Sequence, residues 1–435
     1  MILEAAQRIS SLARRGETVE VHLASTATRT RRLIGGRATA TASDVAGLLR
    51  FVADGREVFA SFDAASHSRA EQVLALCRQA VAAAPLSTDA TEGDEAAHAG
   101  PTCSPLAPLA CSCPRTAEEQ GSAPEDLKDR LTEAAAGALT EALVEEKSTA
   151  VVFVSSAGTV RSYTRALARA KVTTGADGAS GTSTVHACHP GRLDLPTLVS
   201  TARWSGQFAA VRQTGRRPSV PHTLAQRRAL FMPAAAASLV HLITFHLLDS
   251  GDESRDGSTG LSLCDDPHAA GGPFASAFDE EGVASVPVVL WSTATGRGSL
   301  VSRHGWLGAR PIGPGTGLTG HARRRDLDVM PTPQPTNVRL TGPRPPAATG
   351  WEGTVVYGID GLDKQAHHAG ARLSVALLSA HVRDGRVQGL HEPVRLTGTA
   401  YELLHRITAL GPPLYYQPGS QFATSASWMV VDTTA

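Results

Sequence analysis

The order of apolar and polar residues changes period several times along the chain, and each change marks an element. Ile2, Ala6, Ile9, Leu12 and Ala13 recur at helical spacing, with Gly16 at the C-cap, so 2–15 reads as an amphipathic helix. The period then drops to two: over 18–23 apolar residues alternate as in a half-buried strand, and His22 falls on the exposed, polar phase. Asp54-Gly55, between apolar runs at 48–53 and 56–62, signals a hairpin, because both turn positions need positive φ. Ser66 or Ser68 caps a helix running to about Ala84, with Val73, Leu76, Cys77, Ala80 and Val81 on its core face. Residues 85–124 are rich in Pro, Ser, Thr, Ala and Gly and read as a disordered insertion. Pro124-Glu125-Asp126 opens a helix expected to reach about Lys147. A continuous apolar run at 150–154 predicts a strand covered on both faces, with 159–167 as its hairpin partner. Next come a flexible patch at 175–184, a short helix from an Asp194 cap to Ala202, and a strand at 207–213.

Pro218 and Pro221 mark a boundary between an N-terminal α/β domain, 1–220, and a C-terminal β-rich domain, 221–435. The second half opens with an apolar helix at 234–249 and a polar loop at 250–258. Strand propensity follows at 286–291, 299–303, 336–340, 354–357, 371–382 and 386–389, with Asp384-Gly385 as a second hairpin turn. A late helix spans 399–410, with Leu403, Leu404, Ile407 and Leu410 as its stripe, before Gly411-Pro412-Pro413. The fold class is α+β with antiparallel connections in its second half, and no internal repeat is visible.

Composition narrows the function classes. Lys+Arg and Asp+Glu both number 41, so no global field draws nucleic acid or an anionic membrane. The local run Arg323-Arg324-Arg325 reads as a solvated loop. The stretch 230–248 is apolar but interrupted by Pro233, His241 and His246, which suits a buried helix better than a membrane span. The first residues lack the charge and apolar core of a signal peptide, so a cytoplasmic protein is expected. Six cysteines in 435 residues make no disulfide framework. Cys103, Cys111 and Cys113 lack paired C-x-x-C spacing and read as free thiols.

Several segments carry candidate chemistry. In His241-Leu242-Ile243-Thr244-Phe245-His246 the two histidines are five residues apart. On a regular helix they point roughly 140° apart, so they read as core or cavity-lining residues and not as ligands of one ion. His186-Ala187-Cys188-His189 gathers three ligand types in four residues, too tightly spaced to converge on a metal. Cys264-Asp265-Asp266-Pro267-His268 reads as an exposed polar loop, and His367-His368 as a turn. Asp279, Glu280 and Glu281 form an acid cluster, read as a solvated strand-loop junction. Gly313-Pro314-Gly315-Thr316-Gly317 lacks the Lys-Ser/Thr and the helix of a phosphate loop.

Five segments share a pattern: Phe278-Asp279-Glu280-Glu281-Gly282, Thr319-Gly320-His321-Ala322-Arg323, Pro333-Gln334-Pro335-Thr336-Asn337, Val382-Arg383-Asp384-Gly385-Arg386 and Leu396-Thr397-Gly398-Thr399. In this order and at these separations the chain resembles the TldD/TldE (PmbA) family of metallopeptidase-like proteins. No single segment is specific, but the ordered series is, and it covers nearly the whole chain outside 85–124. The resemblance implies an N-terminal α/β domain and a C-terminal domain with a strongly curved, mostly antiparallel sheet. It also implies a heterodimer of TldD-type and TldE-type subunits around a cavity that trims peptides, in some relatives within natural-product pathways. In that family the TldD-type subunit holds the metal, through H-E-x-x-x-H on a helix and a cysteine near the C-terminus. Here His241 and His246 match the histidines, Leu242 stands in place of the glutamate, and Phe245 replaces a glycine. From Gly419-Ser420-Gln421 to the last residue there is no cysteine. The resemblance therefore implies a TldE-type, non-catalytic subunit without a metal of its own, with zinc in the partner and an extended peptide as substrate. Asp279, Glu280, Gly282, Thr319, Gly320 and Asn337 stand as family-motif or cleft-lining residues. Two alternatives stay open: an active hydrolase rebuilt from His241 and His246 with Cys264 or Asp279, and a metal-free binding or scaffold protein.

Overall fold

The computed structural model describes residues 2–35, 39–63, 67–83, 124–135, 139–176, 179–214, 228–249, 260–269, 271–292, 296–303, 305–308, 317–324, 330–342, 351–360, 372–411, 415–418 and 422–433. The expected insertion at 85–124 lies almost entirely outside these, as do Pro218, Pro221, the 250–258 loop and His367-His368.

The alternation around Val19, Val21 and Leu23 belongs to a strand far longer than 18–23. β1 (Glu17–Ile34) has 18 residues, roughly 60 Å at the rise of an extended chain. It lies at the centre of a six-stranded sheet with β2 (Thr39–Ala53), β3 (Arg56–Asp63), β4 (Leu139–Ser155), β5 (Val160–Ala176) and β6 (Ala179–Ala187), in the order β3-β2-β1-β4-β5-β6. Every neighbouring pair is antiparallel. Asp54 and Gly55 turn the β2–β3 hairpin with φ of 51° and 66°, as the Asp-Gly signal requires.

One face of this sheet is covered by helices. Val19, Val21, Leu23, Val152 and Val154 pack on α1 (Ile2–Ser10) and α2 (His67–Ala80). Along the same face Ala142, Val144, Ala168, Ala170 and Val172 pack on α3 (Pro124–Ala135) and α4 (Leu195–Thr214). On the opposite face Val151, Phe153 and Tyr163 meet Ala277 and Phe278 from the second half of the chain.

Several expectations are corrected in this region. The helix opening at Pro124 ends at Ala135, and 139–147 is the start of β4. Ala142 and Val144 are buried and their neighbours are not, a period of two masked by the helix formers Glu145, Glu146 and Lys147. Of the supposed flexible patch at 175–184, residues 175–176 end β5 and 179–184 belong to β6, paired antiparallel with it, and 207–213 is the last part of α4. In α2 Cys77 lies in the core as expected, joined by Leu74, while Leu76 is exposed. The first helix stops at Ser10 and does not reach residue 15.

Helix α4 is capped by Asp194, whose Oδ1 accepts the Thr197 N–H at 3.1 Å. It crosses β6 closely because both chains carry glycine at the contact: a Cβ on Gly181 would lie 1.9 Å from the Gly206 nitrogen. Its Trp204 and Phe208 then join a second cluster with Leu230, Met232, Val355, Ala380, Val382 and Val430.

Residues 228–433 build two larger sheets. One runs Gly296–Arg297, Val288–Ser292, Ser262–Asp265, Asn337–Thr341, Ala423–Ala426 and Tyr415–Pro418. The other runs Arg386–Leu390, Leu373–Arg383, Gly353–Asp360, Arg228–Phe231, Met429–Asp432 and Ile407–Leu410, with Val394–Gly398 also paired to Leu373–Arg383. Neighbours are antiparallel apart from Asn337–Thr341 with Ala423–Ala426 and Gly353–Asp360 with Arg228–Phe231. Helix α5 (Pro233–Asp249) packs on both sheets, in one cluster with Trp291 and Val338 from the first and Phe231, Val356 and Met429 from the second. A helix so enclosed is apolar nearly all round. The expected helix at 399–410 is shortened to α6 (Ala400–His405), held by a Thr399/Glu402 capping box. Ile407–Leu410 instead pairs antiparallel with Met429–Asp432. Asp384 and Gly385 turn their hairpin with φ of 51° and 68°.

Candidate functional site

Helix α5 carries the two histidines, and its surroundings decide what they can do. The His241 ring stacks on Phe422 with centroids 4.2 Å apart and meets the edge of Phe245 at 4.9 Å. Phe422 is held there by the strand beginning at Ala423, where Thr424 Oγ1 donates to Ala237 O of α5 at 3.0 Å and Ala423 N donates to Thr336 O. Burial pushes the His241 pKa down to about 4, so the ring is neutral near pH 7. Leu242 lies in the hydrophobic core, and His246 is buried. The residues do not fit a catalytic zinc, which needs about three converging ligands and an open position. The glutamate position holds a core leucine, and an aromatic ring covers the face of His241. The C-terminal segment reaches the helix with Phe422 and no cysteine. Cys264 Sγ donates to its neighbour's carbonyl, Asp265 O, at 3.5 Å, and the Asp279 carboxylate is engaged by backbone N–H groups. Among the described residues no group of three His, Cys, Asp or Glu side chains is placed to hold a metal ion.

The motif residues form a separate, buried constellation. Asp265, expected in an exposed loop, is fully buried at a strand end. Its carboxylate accepts from Thr336 N (3.0 and 2.9 Å), Thr336 Oγ1 (2.8 Å) and Asn337 N (2.8 Å). The buried His321 places Nε2 3.1 Å from Asp265 Oδ2. Asn337 extends the knot by accepting Phe274 N at 3.1 Å. The order T-G-H and P-x-P-T-N thus encodes one hydrogen-bonded junction.

Asp279 and Glu281 of the acid cluster are also buried and Glu280 is half-buried, which corrects the reading as a solvated junction. Asp279 accepts Glu281 N, Val283 N and Ala322 N at 2.9–3.0 Å. Burial outweighs those bonds and pushes its pKa up to about 6. Glu281 accepts Arg303 N at 3.0 Å. Its pKa is pushed up to about 8, by burial first and then by the charge of Asp279. Glu280 pairs with Arg324 at 3.0 Å. Gly282 has φ +75°, and a Cβ there would lie 2.4 Å from the Phe153 ring. Thr319 Oγ1 donates to Val301 O and accepts Val301 N, and Gly320 O accepts Ser285 Oγ at 2.7 Å.

These residues tie the two halves together. Phe278 packs edge-on to Tyr163, with centroids 4.8 Å apart, and sits against Phe153 and His22. His22 is partly enclosed rather than exposed, and burial lowers its pKa. Arg324 donates to Ser61 Oγ of β3, and the Arg323 guanidinium lies 4.3 Å above the Phe274 ring, so this basic pair is not a solvated loop. Arg303 Nη1 donates to both Glu20 oxygens at 3.0 and 3.2 Å. Glu20 also pairs with Arg50 at 3.1 Å, and Arg50 with Glu57 at 3.0 Å. No sequence pattern signals a pair 283 positions apart. Elsewhere, His189 caps a 3₁₀ turn by accepting Gly191 N, and His186 is buried in β6. Cys103, Cys111, Cys113 and residues 313–316 lie outside the described residues.

The chain is thus an α+β protein with an antiparallel sheet docked on a curved, β-rich half. Residues 226–433 match the PmbA/TldA metallopeptidase C-terminal domain, and over this C-terminal half the chain belongs to the TldD/TldE/PmbA family. No curated protein matches its sequence. Its fold is similar to that of TldE from Thermococcus kodakarensis, with TM-score 0.68 at 15% identity, over 100% of this chain and 98% of that one. It is also similar to a candidate modulator of a DNA gyrase from Thermotoga maritima, with TM-score 0.63 at 14% identity, over 99% of both chains. A candidate DNA gyrase modulator from Bacteroides thetaiotaomicron gives 0.60 at 14% identity, over 99% of this chain and 97% of that one. At these identities the likeness speaks to the fold. No helix among the described residues is long and apolar enough to cross a membrane.

Proposed function

We propose that this chain is the TldE-type, non-catalytic subunit of a heterodimeric TldD/TldE-type zinc metallopeptidase that trims peptides or peptide-like natural-product intermediates in the cytoplasm. The observation that carries this reading is at Leu242: an apolar core side chain fills the place of the general-base glutamate, beside a His241 whose ring is stacked on Phe422. A leucine cannot take a proton from water, so hydrolysis belongs to a partner with an intact H-E-x-x-x-H helix. The role left to this chain is to complete the cavity and hold an extended peptide by strand addition at a sheet edge. The likeness to a TldE structure over the whole chain supports the same assignment. The test is to purify the chain alone and co-expressed with a TldD-type partner, then measure zinc content and peptide cleavage. Zinc and cleavage are expected only when the partner is present. Stoichiometric zinc together with hydrolysis by the isolated chain overturns the proposal.

A further inference from the structure

We propose that Arg165 of β5 and Arg323 of the C-terminal half form a binding site for the carboxylate of a peptide, at the seam between the first sheet and the loop that carries Phe274 and Phe278. Strand alternation puts Tyr163 and Arg165 on the face of the sheet that meets Phe278. That face changes character along β5. At Val151, Phe153 and Tyr163 it is apolar and covered by Ala277 and Phe278. One row further on, Arg165 stands beside Thr149 and Thr149 beside Thr26, with the two threonine hydroxyls 3.1 Å apart. Arg165 reaches across the seam, where its Nη1 donates to Ala275 O at 2.7 Å. Arg323 meets the preceding residue of the same loop, its guanidinium 4.3 Å from the centroid of the Phe274 ring. Both partners are held in place: Phe274 N donates to Asn337 Oδ1, and Ala322–Arg323 pairs with Thr332–Pro333.

Two guanidinium groups thus gather at consecutive residues of one loop, and neither makes an ion pair among the described residues. Arg323 Nη1 is enclosed and has no hydrogen-bond partner there. The nearby carboxylates are engaged elsewhere: Glu280 by Arg324, Asp279 by three backbone N–H groups, and Asp265 by Thr336 and Asn337. Burial lowers the Arg323 pKa, and the charge of Arg165 acts in the same direction, against Glu280 and Asp265. An enclosed cationic nitrogen without an acceptor costs free energy, and an incoming anion relieves both the missing bond and the repulsion. A carboxylate matches planar guanidinium groups through charge-assisted hydrogen bonds. Both arginines are only partly buried, so the pair can be reached from solvent. That a peptide carries the carboxylate rests on the function proposed above, whereas the site rests on the geometry. The source is a peptide C-terminus or an Asp or Glu side chain.

The experiment is fluorescence polarisation on the full chain with one N-terminally labelled peptide in three forms: a free C-terminal acid without acidic side chains, its C-terminal amide, and the amide with one glutamate. The acid, the glutamate form or both should bind about tenfold more tightly than the plain amide, the factor expected of a hydrogen-bonded charge. Preference for the acid assigns a C-terminus, and preference for the glutamate form assigns a side chain. Arg165→Gln and Arg323→Gln should each abolish the difference and leave binding of the plain amide as it is. Lys171→Gln, on the same face of β5 about 20 Å along the strand, should keep it. Equal binding of the three forms, absence of binding, or the full difference persisting in the arginine variants overturns the site. If Arg323→Gln does not fold, Arg165→Gln, whose amide can still donate to Ala275 O, decides the question. Cleavage that appears only with a partner, alongside equal binding of the three forms, removes the site and keeps the proposed function. A carboxylate preference in a chain that holds zinc and hydrolyses peptides alone does the reverse.

Discussion

Replacing Asp265 by alanine tests whether the motif junction is a cohesive element or an ornament of the loop. The carboxylate is fully buried and serves three donors, Thr336 N, Thr336 Oγ1 and Asn337 N, at 2.8–3.0 Å. Alanine leaves all three without an acceptor in a dry site, and each buried unsatisfied donor costs about 1–3 kcal/mol. The Thr336 hydroxyl can rotate toward another acceptor, but the two backbone N–H groups cannot. A loss of about 4 kcal/mol follows, at the severe end for one substitution. Asp265→Asn keeps one oxygen as acceptor and should lose about 1–3 kcal/mol. Urea unfolding followed by circular dichroism measures both, with the midpoint shifting at constant slope. An alanine variant within about 1 kcal/mol of the native chain, or an asparagine variant as unstable as alanine, rules out the cohesive role.

His241 titrates near 4 in the folded chain, below its ordinary 6.5. Its contribution is therefore complete above pH 6.5 and is lost as pH falls toward 4, by about 3 kcal/mol at most. His241→Phe should remove that segment of the stability–pH profile, and an unchanged profile rejects burial as the cause. Gly282→Ala should destabilise by about 2–4 kcal/mol, because the new methyl meets both a left-handed φ and the Phe153 ring. Thermal melting reports it, and a shift of only a degree or two contradicts the close approach. Leu242→Glu puts a carboxylate into the core of α5. It should lower the melting temperature markedly and confer neither zinc binding nor hydrolysis on the isolated chain. Metal analysis after dialysis checks the outcome, and a stable zinc-loaded variant counts against the vestigial reading of the helix.

Local patterns were legible in the sequence where burial follows a simple period. Val19, Val21 and Leu23, the two Asp-Gly turns and the apolar α5 all stand where periodicity puts them. Periodicity misleads where propensity and tertiary context pull apart. Residues 145–147 favour helix in isolation, yet they lie between β1 and β5, and sheet pairing decides. Gln207–Gln213 looks strand-like because Phe208 and Val211 flank alanines, but α4 needs those positions to reach a second cluster. The ordered motifs revealed the family but not what the motifs do. That Asp265 belongs to Thr336, or Glu20 to Arg303, depends on partners 71 and 283 positions away. A polar residue that is satisfied by distant backbone is indistinguishable, in sequence, from one bound for water.

Helix α4 belongs to two cores at once: Leu195, Leu198, Val199 and Ala202 pack on the first sheet, and Trp204 and Phe208 on the sheet that contains Arg228–Phe231. The inherited unit recognised from residue 226 onward is therefore shorter than the mechanical one, which begins about 30 residues earlier. A gene fusion or transplant cut at 226 would strand Leu230 and Val355 without their cover. Exchange between relatives is tolerable only when this girder travels with the piece it roofs.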